Sequence, residues 1–519
     1  MRARAGRGID AALGLLALAF AAPSLTYPLS RDQALYWYVG RDWLAGAVPY
    51  RDVVEHKTPL VYAVYALGIA LTGETMWAIR ATEIAATLVL GWLASRLAVT
   101  ARRATLPAGA LGASLLVASV FYYGYLPFQD QGHSEIWCAL FAAAAVVAAR
   151  DVRDPRRAAL VAGLCLGLAF VAKPPALAFA PLVVAALHGR RAGVARWAPT
   201  ASLGFLAVVG VVVAYFASRG AVAAMFDVVV RANGAFALEG RKASTAGEWL
   251  WRFWKALDWF QPWSWMFLGL CLTGIARGLV RRDEPLVRRY TRPLLWAACA
   301  YVAVLVQLKF YAYQHALFIV PCALLGATLW VDLSRAARSP LRRAFAATAF
   351  AAVTVVTCVA DTPRDVWWLR ARNAVRFARG ELDASALVDS FDVEGWIDMT
   401  SSHAAGEWVR THAQPGEHLL VRGYDPQIYY FAGRRYGGRF FWSSVLVTPG
   451  LSYRRDEWLA ADRADIERLR PAWVVTWFES STGAECEAPG WFEAMGWERS
   501  AVFGPFVVLY RPPRAGAIQ

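Results

Sequence analysis

The sequence predicts a polytopic α-helical membrane protein that carries a small C-terminal α/β domain. Hydrophobic residues make up 58% of the 519 residues and charged residues only 18%, with a mean hydropathy of +0.36. A soluble protein of this length would carry more charge. Apolar runs long enough to span a bilayer recur through residues 1–360, which are predicted to form the membrane domain. Charges and turn residues return in residues 361–519, which predicts a separate domain there.

The distribution of arginine predicts the topology of the spans. Arginine-rich stretches precede the first apolar run and follow every second one, at about residues 96–103, 150–157, 190–196, 277–292 and 335–343. By the positive-inside rule this alternation predicts about eleven spans and a cytoplasmic N-terminus. The first loop, residues 30–76, and the C-terminal domain are then outside. The first apolar run alternatively fits a secretory signal peptide, because a basic start precedes a short apolar core.

The C-terminal domain is predicted from alternating patterns. Helical periodicity at about 401–413 and 456–469 alternates with short apolar strands at 418–423, 473–478 and 506–510. It contains neither a glycine-rich phosphate loop nor a paired metal motif, so no nucleotide cofactor is predicted. The net charge of +15 does not indicate nucleic-acid binding, because most arginines lie in the short connections between spans.

The loop at residues 30–76 is unusually charged for a connection between spans. Asp32 follows the first predicted span, and Glu55, His56 and Lys57 stand together before a proline. Charges this dense do not enter hydrocarbon, so the loop is predicted to lie against a membrane face. A carboxylate at headgroup depth suits a general base, and a lysine in a stiff turn suits a phosphate. The alternatives are a helix cap for Asp32 and snorkelling for Lys57.

Further candidate residues lie in the other predicted outer connections. Arg80, Lys173 and Lys309 are candidate ligands of the same phosphate, and each alternatively snorkels or forms an ion pair. A late outer loop is a candidate contact for phosphate or sugar, through Tyr311, Tyr313 and His315.

An acidic patch precedes another predicted span at Asp130, His133 and Glu135. The first interpretation is contact with substrate hydroxyls, and the second is ordinary loop polarity. A divalent metal is the weakest interpretation, because the paired spacing of metal ligands is missing.

Two further outer segments have their own predictions. Residues 59–72 are apolar but short, which predicts a helix along the interface with Tyr62 and Tyr65 at headgroup level. Residues 219–261 are long and rich in tryptophan, including Trp259. They predict a partly helical lid or an interfacial belt.

The membrane portion resembles the GT-C superfamily of glycosyltransferases that use polyprenyl-phosphate-linked sugars, in particular protein O-mannosyltransferases and lipid A aminoarabinose transferases. Asp32 before an aromatic helix carries the similarity, together with the strings DWLAGAVPYRDVVEHKTPLVYAVYALG, AIRATE and KFYAYQHALFIVP. The similarity covers about residues 1–360. Two positions depart from the family pattern: Gln33 stands where glutamate is frequent, and His56 stands where an acidic residue is frequent.

The resemblance implies an inverting glycosyltransferase, mannosyltransferase-like, in a bacterial-type inner membrane. Asp32 is then the catalytic base, and Lys57 and Arg80 match positions associated with the donor phosphate. The implied partners are a polyprenyl-phosphate-linked sugar, membrane lipids and a protein, lipid or glycan acceptor. The alternatives are a transporter or lipid flippase, and a non-catalytic partner in cell-envelope polysaccharide assembly.

Overall fold

Contacts divide the chain into two units, and each is assembled from segments that are distant in sequence. The computed structural model describes residues 2–99, 106–188, 193–239, 245–258, 263–337, 339–360, 367–393, 397–478 and 485–512. The first unit consists of Met1–Thr26, Ile79–Ala214 and Ala243–Arg372. The second unit consists of Tyr27–Ala78, Tyr215–Lys242 and Asn373–Gln519.

These units do not coincide with the continuous domains 1–360 and 361–519 that the sequence predicts. The difference arises because the first loop and the segment Tyr215–Lys242 pack with the C-terminal chain and not with the helices that flank them. The predicted boundary near residue 361 lies outside the described residues, as do parts of the arginine-rich stretches at 96–103 and 190–196.

The first unit is helical. Its described helices, some of which end beyond its limits, are Arg2–Ala21, Ala22–Thr26, Trp77–Ala98, Ala110–Ser119, Val120–Tyr125, Phe128–Asp130, Ser134–Asp151, Pro155–Ala172, Pro174–Phe179, Ala180–His188, Val194–Ser218, Ala246–Asp258, Trp263–Val280, Glu284–Leu305, Ala312–Phe318, Ile319–Ala336, Pro340–Ala360 and Trp367–Ala378. The first helix packs on Ala110–Ser119, where the Asp10 carboxylate accepts hydrogen bonds of 2.9 Å from the Gly109 and Gly112 N–H groups. A carboxylate suits the start of a helix, because the first N–H groups lack intrahelical partners.

Four segments of the described chain are long and apolar enough to cross a membrane. They are Arg7–Thr26, Pro155–Ala172, Trp197–Ser218 and Ala312–Ala336. Shorter apolar helices lie at Pro59–Thr72, Ala110–Tyr125, Pro174–His188 and Ser264–Val280. This helical architecture agrees with the predicted fold class, whereas the number of eleven spans stays a prediction.

The second unit contains a four-stranded sheet among its described residues. The strands are β1 (Leu419–Val421), β2 (Trp473–Trp477), β3 (Glu498–Phe503) and β4 (Phe506–Tyr510). Their order is β1-β2-β4-β3, with β1 parallel to β2 and the other pairs antiparallel. The described helices of this unit are Arg31–Leu44, Pro59–Thr72, Val222–Phe226, Asp227–Ala232, Asn233–Glu239, Ala384–Asp389, Met399–His412, Gln427–Ala432, Ser444–Val447, Arg455–Leu469, Glu485–Glu487 and Pro489–Ala494.

The helix that carries Asp32, Arg31–Leu44, packs closely on the helix Pro59–Thr72. The contact passes through Gly40, where an added Cβ would lie 2.9 Å from the backbone nitrogen of Ala66. Tyr62 and Tyr65 are therefore buried in the unit, at 0% and 1% exposure. Their face of the helix turns toward protein, and their depth relative to the headgroups stays a prediction.

The C-terminal chain forms the other side of the Asp32 helix. The Tyr38 ring stacks on Phe441 with the ring centres 4.1 Å apart, and its hydroxyl accepts a 3.0 Å hydrogen bond from the Tyr436 N–H. The Val54 N–H donates to the Arg439 carbonyl at 2.9 Å. The first loop and the C-terminal domain consequently share one core.

The tryptophan-rich segment predicted as a single lid or belt at 219–261 is divided. Its first part belongs to the second unit, and its second part forms the helix Ala246–Asp258 of the first unit. Trp251 and Trp254 on that helix are about half exposed, at 57% and 48%. Trp259 lies outside the described residues.

Candidate functional site

Asp32 stands in the first turn of its helix, where the helix dipole favours a negative charge. Ser30 is the N-cap residue, so the alternative that Asp32 caps the helix is wrong. The Asp32 carboxylate accepts a long hydrogen bond of 3.4 Å from the Tyr36 hydroxyl. One third of the side chain (33%) remains exposed. The carboxylate is thus held by the helix and remains accessible to a ligand.

Gln33, which departs from the family pattern, has a structural role at the start of its helix. Its side-chain oxygen accepts a 3.0 Å hydrogen bond from the Ser30 N–H and completes a capping box. Glutamate is equally able to complete such a box, so the exchange preserves the helix start. Gln33 is fully buried and carries no charge. The first turn of this helix therefore has one carboxylate, Asp32.

Lys57 lies beside Asp32 and is held by its own backbone. Its Nζ is 4.0 Å from an Asp32 carboxylate oxygen, and only 13% of its side chain is exposed. The Lys57 N–H donates to the Glu55 carboxylate at 2.9 Å, and the Lys57 carbonyl accepts from the Tyr50 hydroxyl at 2.8 Å. Tyr50 adopts a φ of 72°, which is rare for a residue other than glycine. A snorkelling lysine would be less constrained.

Glu55 and His56 extend this arrangement away from Asp32. Glu55 is buried, accepts a hydrogen bond from the Tyr62 hydroxyl and lies 2.7 Å from His56 Nδ1, within ion-pair distance. The other ring nitrogen of His56 lies 3.1 Å from Lys57 Nζ. Burial alone would raise the pKa of Glu55, but its cationic and hydrogen-bonding neighbours outweigh burial and lower the pKa to about 2. Glu55 is therefore a carboxylate at neutral pH.

The C-terminal domain contributes a residue that sequence reasoning missed. The Arg31 Nε lies 3.4 Å from the carboxylate of Asp425, which also accepts from Trp477 at 2.9 Å and Gln427 at 3.0 Å. Burial raises the pKa of Asp425. The turn beginning at Gly423 was recognisable as a strand-to-helix turn, but nothing in the sequence indicates that its carboxylate meets the residue before Asp32.

Several predicted residues gather in the first unit. Lys173 forms an ion pair with Glu135, and its Nζ lies 5.2 Å from the centre of the Tyr313 ring. His133 and Tyr311 both stack on the Tyr313 ring, with ring centres 4.2 Å and 5.5 Å from it. Tyr311 is 42% exposed. A cation and aromatic faces therefore lie together in this cluster.

The acidic patch does not have the form of a metal site. Glu135 is paired with Lys173, the His133 Nε2 lies 3.0 Å from the Gln129 carbonyl, and Asp130 is half-buried. Among the residues that the structure describes, no group of three or more His, Cys, Asp or Glu side chains is arranged to hold a metal ion. No reaction step is therefore derived through a metal.

Arg80 has a structural partner instead of an open ligand site. It has no exposed surface, and its guanidinium lies 2.9 Å from the Glu83 carboxylate, one turn along the same helix. Glu83 also accepts a 2.6 Å hydrogen bond from the Tyr122 hydroxyl. The structure pairs Arg80 with Glu83, and contact of Arg80 with the donor phosphate stays a prediction.

The remaining two predicted residues belong to the late loop of the first unit. His315 is fully buried, with Nδ1 3.2 Å from the Ala312 carbonyl, and its contact with phosphate or sugar stays a prediction. Lys309 is half-buried between Leu308 and Phe310, whose φ angles are 56° and 55°. These left-handed conformations set the direction of the chain at Lys309.

Comparison with known proteins agrees with this architecture. Residues 56–215 match the profile of a family described as dolichyl-phosphate-mannose-protein mannosyltransferase. The fold is similar to the crystal structure of ArnT from Cupriavidus metallidurans bound to undecaprenyl phosphate, with a TM-score of 0.55 and 12% identity. The similarity covers 97% of this chain and 98% of that one. No curated protein matches the chain in sequence.

The family profile covers less than half of the chain, and the similarity to ArnT at 12% identity shows a shared fold. Both findings agree with the resemblance predicted from the sequence. The matched segment, residues 56–215, is mannosyltransferase-like.

Proposed function

We propose that the protein transfers a sugar from a polyprenyl-phosphate donor to a hydroxyl or amine of a protein, lipid or glycan acceptor. The observation that carries the proposal is an accessible Asp32 with the Lys57 ammonium 4.0 Å away. Sugar transfer moves two charges, the proton of the acceptor and the negative charge of the leaving phosphate. Asp32 is able to take the acceptor proton as a base, and Lys57 is able to stabilise the negative charge of the leaving phosphate. The mannosyltransferase profile, and a shared fold with a structure that holds undecaprenyl phosphate, support the donor class.

The proposed reaction is a single displacement. The acceptor oxygen or nitrogen attacks the anomeric carbon while Asp32 takes its proton. The bond from that carbon to the phosphate oxygen breaks, and polyprenyl phosphate leaves with the bonding electrons. Lys57 stabilises the charge that develops on the phosphate. Attack opposite the leaving group inverts the anomeric carbon, and the phosphate linkage supplies the energy.

We place this chemistry outside the cytoplasm. The second unit combines the first loop, the segment Tyr215–Lys242 and the C-terminal chain. The arginine distribution predicts an outside position for each of them. Their assembly into one unit supports a position on one side of the membrane. We propose that the N-terminus is cytoplasmic and that the membrane is a bacterial-type inner membrane.

We assign the cluster of the first unit to substrate contact. Tyr311 and Tyr313 offer ring faces of the kind that line ligand pockets, and Lys173 adds a charged donor. The ion pair with Glu135 fixes the direction of that donor. Lys309, in the neighbouring turn, is proposed as a further phosphate ligand.

The test of this function uses purified protein in liposomes. A labelled sugar on polyprenyl phosphate is expected to appear on an acceptor extract, with one polyprenyl phosphate released for each sugar transferred. A nucleotide sugar is expected to give no product. Movement of the labelled lipid across the bilayer without a new glycosidic bond would instead indicate a flippase. Absence of any product would indicate a non-catalytic partner.

The contact between Arg31 and Asp425 predicts that the C-terminal domain influences catalysis. Asp425→Asn removes the charge that holds the residue next to Asp32, and a small misplacement of a reacting group costs roughly tenfold or more. The kcat for sugar transfer is therefore expected to fall about tenfold with little change in the donor KM. The exposed Asp456, in the same unit, gives the matched control Asp456→Asn. An unchanged kcat for Asp425→Asn would remove the C-terminal carboxylate from the account.

A further inference from the structure

Four side chains of the second unit form a continuous row of polar contacts. Glu55 and His56 Nδ1 are 2.7 Å apart, and His56 Nε2 and Lys57 Nζ are 3.1 Å apart. Lys57 Nζ is 4.0 Å from Asp32. The row therefore runs carboxylate, imidazole, ammonium, carboxylate, and it ends at the accessible residue.

The proton positions in this row follow from which atoms are able to donate. A lysine ammonium has donors only, so the ring nitrogen facing Lys57 must be an acceptor. The other ring nitrogen, Nδ1, faces the Glu55 carboxylate at 2.7 Å. The second oxygen of that carboxylate already receives the Tyr62 hydroxyl and the Lys57 N–H. Glu55 and Lys57 thus contact opposite nitrogens of the His56 ring.

The imidazole ring is itself held from the remaining sides. The rings of Phe236 and Trp442 lie 6.1 and 6.3 Å from it, centre to centre. The Asn233 side-chain amide donates to the His56 carbonyl at 2.6 Å. The acceptor nitrogen that faces Lys57 is consequently fixed in place.

We propose that Glu55 and His56 are positioning residues that hold the Lys57 ammonium in the place where it meets the donor phosphate. The inference rests on the proposed phosphate role of Lys57. A free lysine loses rotamer freedom when it binds a ligand, and the ordering of one lysine side chain corresponds to about tenfold to thirtyfold in affinity. The row of contacts orders the Lys57 side chain during folding, so this entropy is lost before the donor binds. The histidine that departs from the family pattern thereby acquires a function.

The test is a double-mutant cycle on the donor KM in the liposome assay. His56→Phe keeps an aromatic ring between Phe236 and Trp442 but removes the acceptor, and it is expected to raise the donor KM about tenfold to thirtyfold. His56→Gln restores an acceptor and is expected to recover most of the loss. In a Lys57→Met background, His56→Phe is expected to have little further effect.

The outcomes separate this inference from the proposed function. If Lys57→Met raises the donor KM and the effect of His56→Phe is equally large in its presence, the two residues act independently and the positioning role is overturned. If Lys57→Met leaves donor binding unchanged, the phosphate role of Lys57 fails and the inference fails with it. Size-exclusion profiles confirm that each variant assembles, and His56→Leu replaces His56→Phe if the larger ring does not fit.

Discussion

Asp32→Asn is expected to lower the rate of sugar transfer by about 10²- to 10⁴-fold, the range that a general base contributes. Asparagine has nearly the same shape and retains an oxygen for the Tyr36 hydroxyl, so the helix start is preserved. It is unable to take the acceptor proton at neutral pH. The measurement is the initial rate of transfer from a polyprenyl-phosphate sugar in liposomes, at saturating donor.

A carboxylate in the same loop provides the matched control. Glu74 is exposed and lies beyond the helix Pro59–Thr72, so Glu74→Gln removes the same charge without touching the proposed site. It is expected to transfer sugar at the wild-type rate. Equal rates for Asp32→Asn and wild type would exclude Asp32 as the base.

Lys57→Met is expected to lower kcat/KM for the donor by about 10- to 100-fold, because a hydrogen bond to a charged group contributes about 1.5–3 kcal/mol. Part of the loss is expected in the donor KM, since the phosphate is already charged in the ground state, and part in kcat, since its negative charge increases as the bond to the sugar breaks. The turn is expected to keep its shape, because Glu55 and Tyr50 hold the backbone of residue 57 and not its ammonium. The measurement is kcat and KM over a range of donor concentrations.

Two further variants serve as comparisons for Lys57→Met. Arg51, in the same loop, forms an exposed ion pair with Asp52, and such pairs contribute little. Arg51→Met is therefore expected to leave the donor KM unchanged, whereas Lys57→Arg is expected to retain part of the affinity. A Lys57→Met enzyme with wild-type KM and kcat would contradict the proposed phosphate contact.

Local sequence was sufficient to group the candidate residues of the first loop. Asp32 and the run from Glu55 to Lys57 lie in one loop, and their charge density alone marks that loop as unusual between apolar spans. Asp425 is 394 positions from Arg31, and no periodicity or charge pattern predicts such a contact. The part of the site contributed by the C-terminal chain therefore required the structure.

The sequence does not show which partner a given side chain meets. The apolar face with Tyr62 and Tyr65 suits lipid or protein equally well, and the structure pairs it with the Asp32 helix. Arg80 was predicted as a phosphate ligand from its place near the end of a span and from family position, although Glu83 at i+3 was a visible sign of an ion pair.

Strand prediction in the C-terminal domain failed only at an edge. The predicted strands at 418–423, 473–478 and 506–510 correspond to β1, β2 and β4, whose apolar residues are buried. β3 was missed because it lies at the sheet edge and most of its side chains are exposed. An exposed edge strand lacks the apolar run on which the prediction relied.

In the proposed mechanism Asp32 takes the acceptor proton but does not bind the donor phosphate. One experiment on Asp32→Asn measures both donor binding and sugar transfer. Purified variant and wild type are compared for undecaprenyl phosphate affinity and for sugar transfer in the same liposomes. We predict that Asp32→Asn binds the lipid phosphate about as tightly as wild type and transfers almost no sugar. Transfer at the wild-type rate by Asp32→Asn would contradict the account.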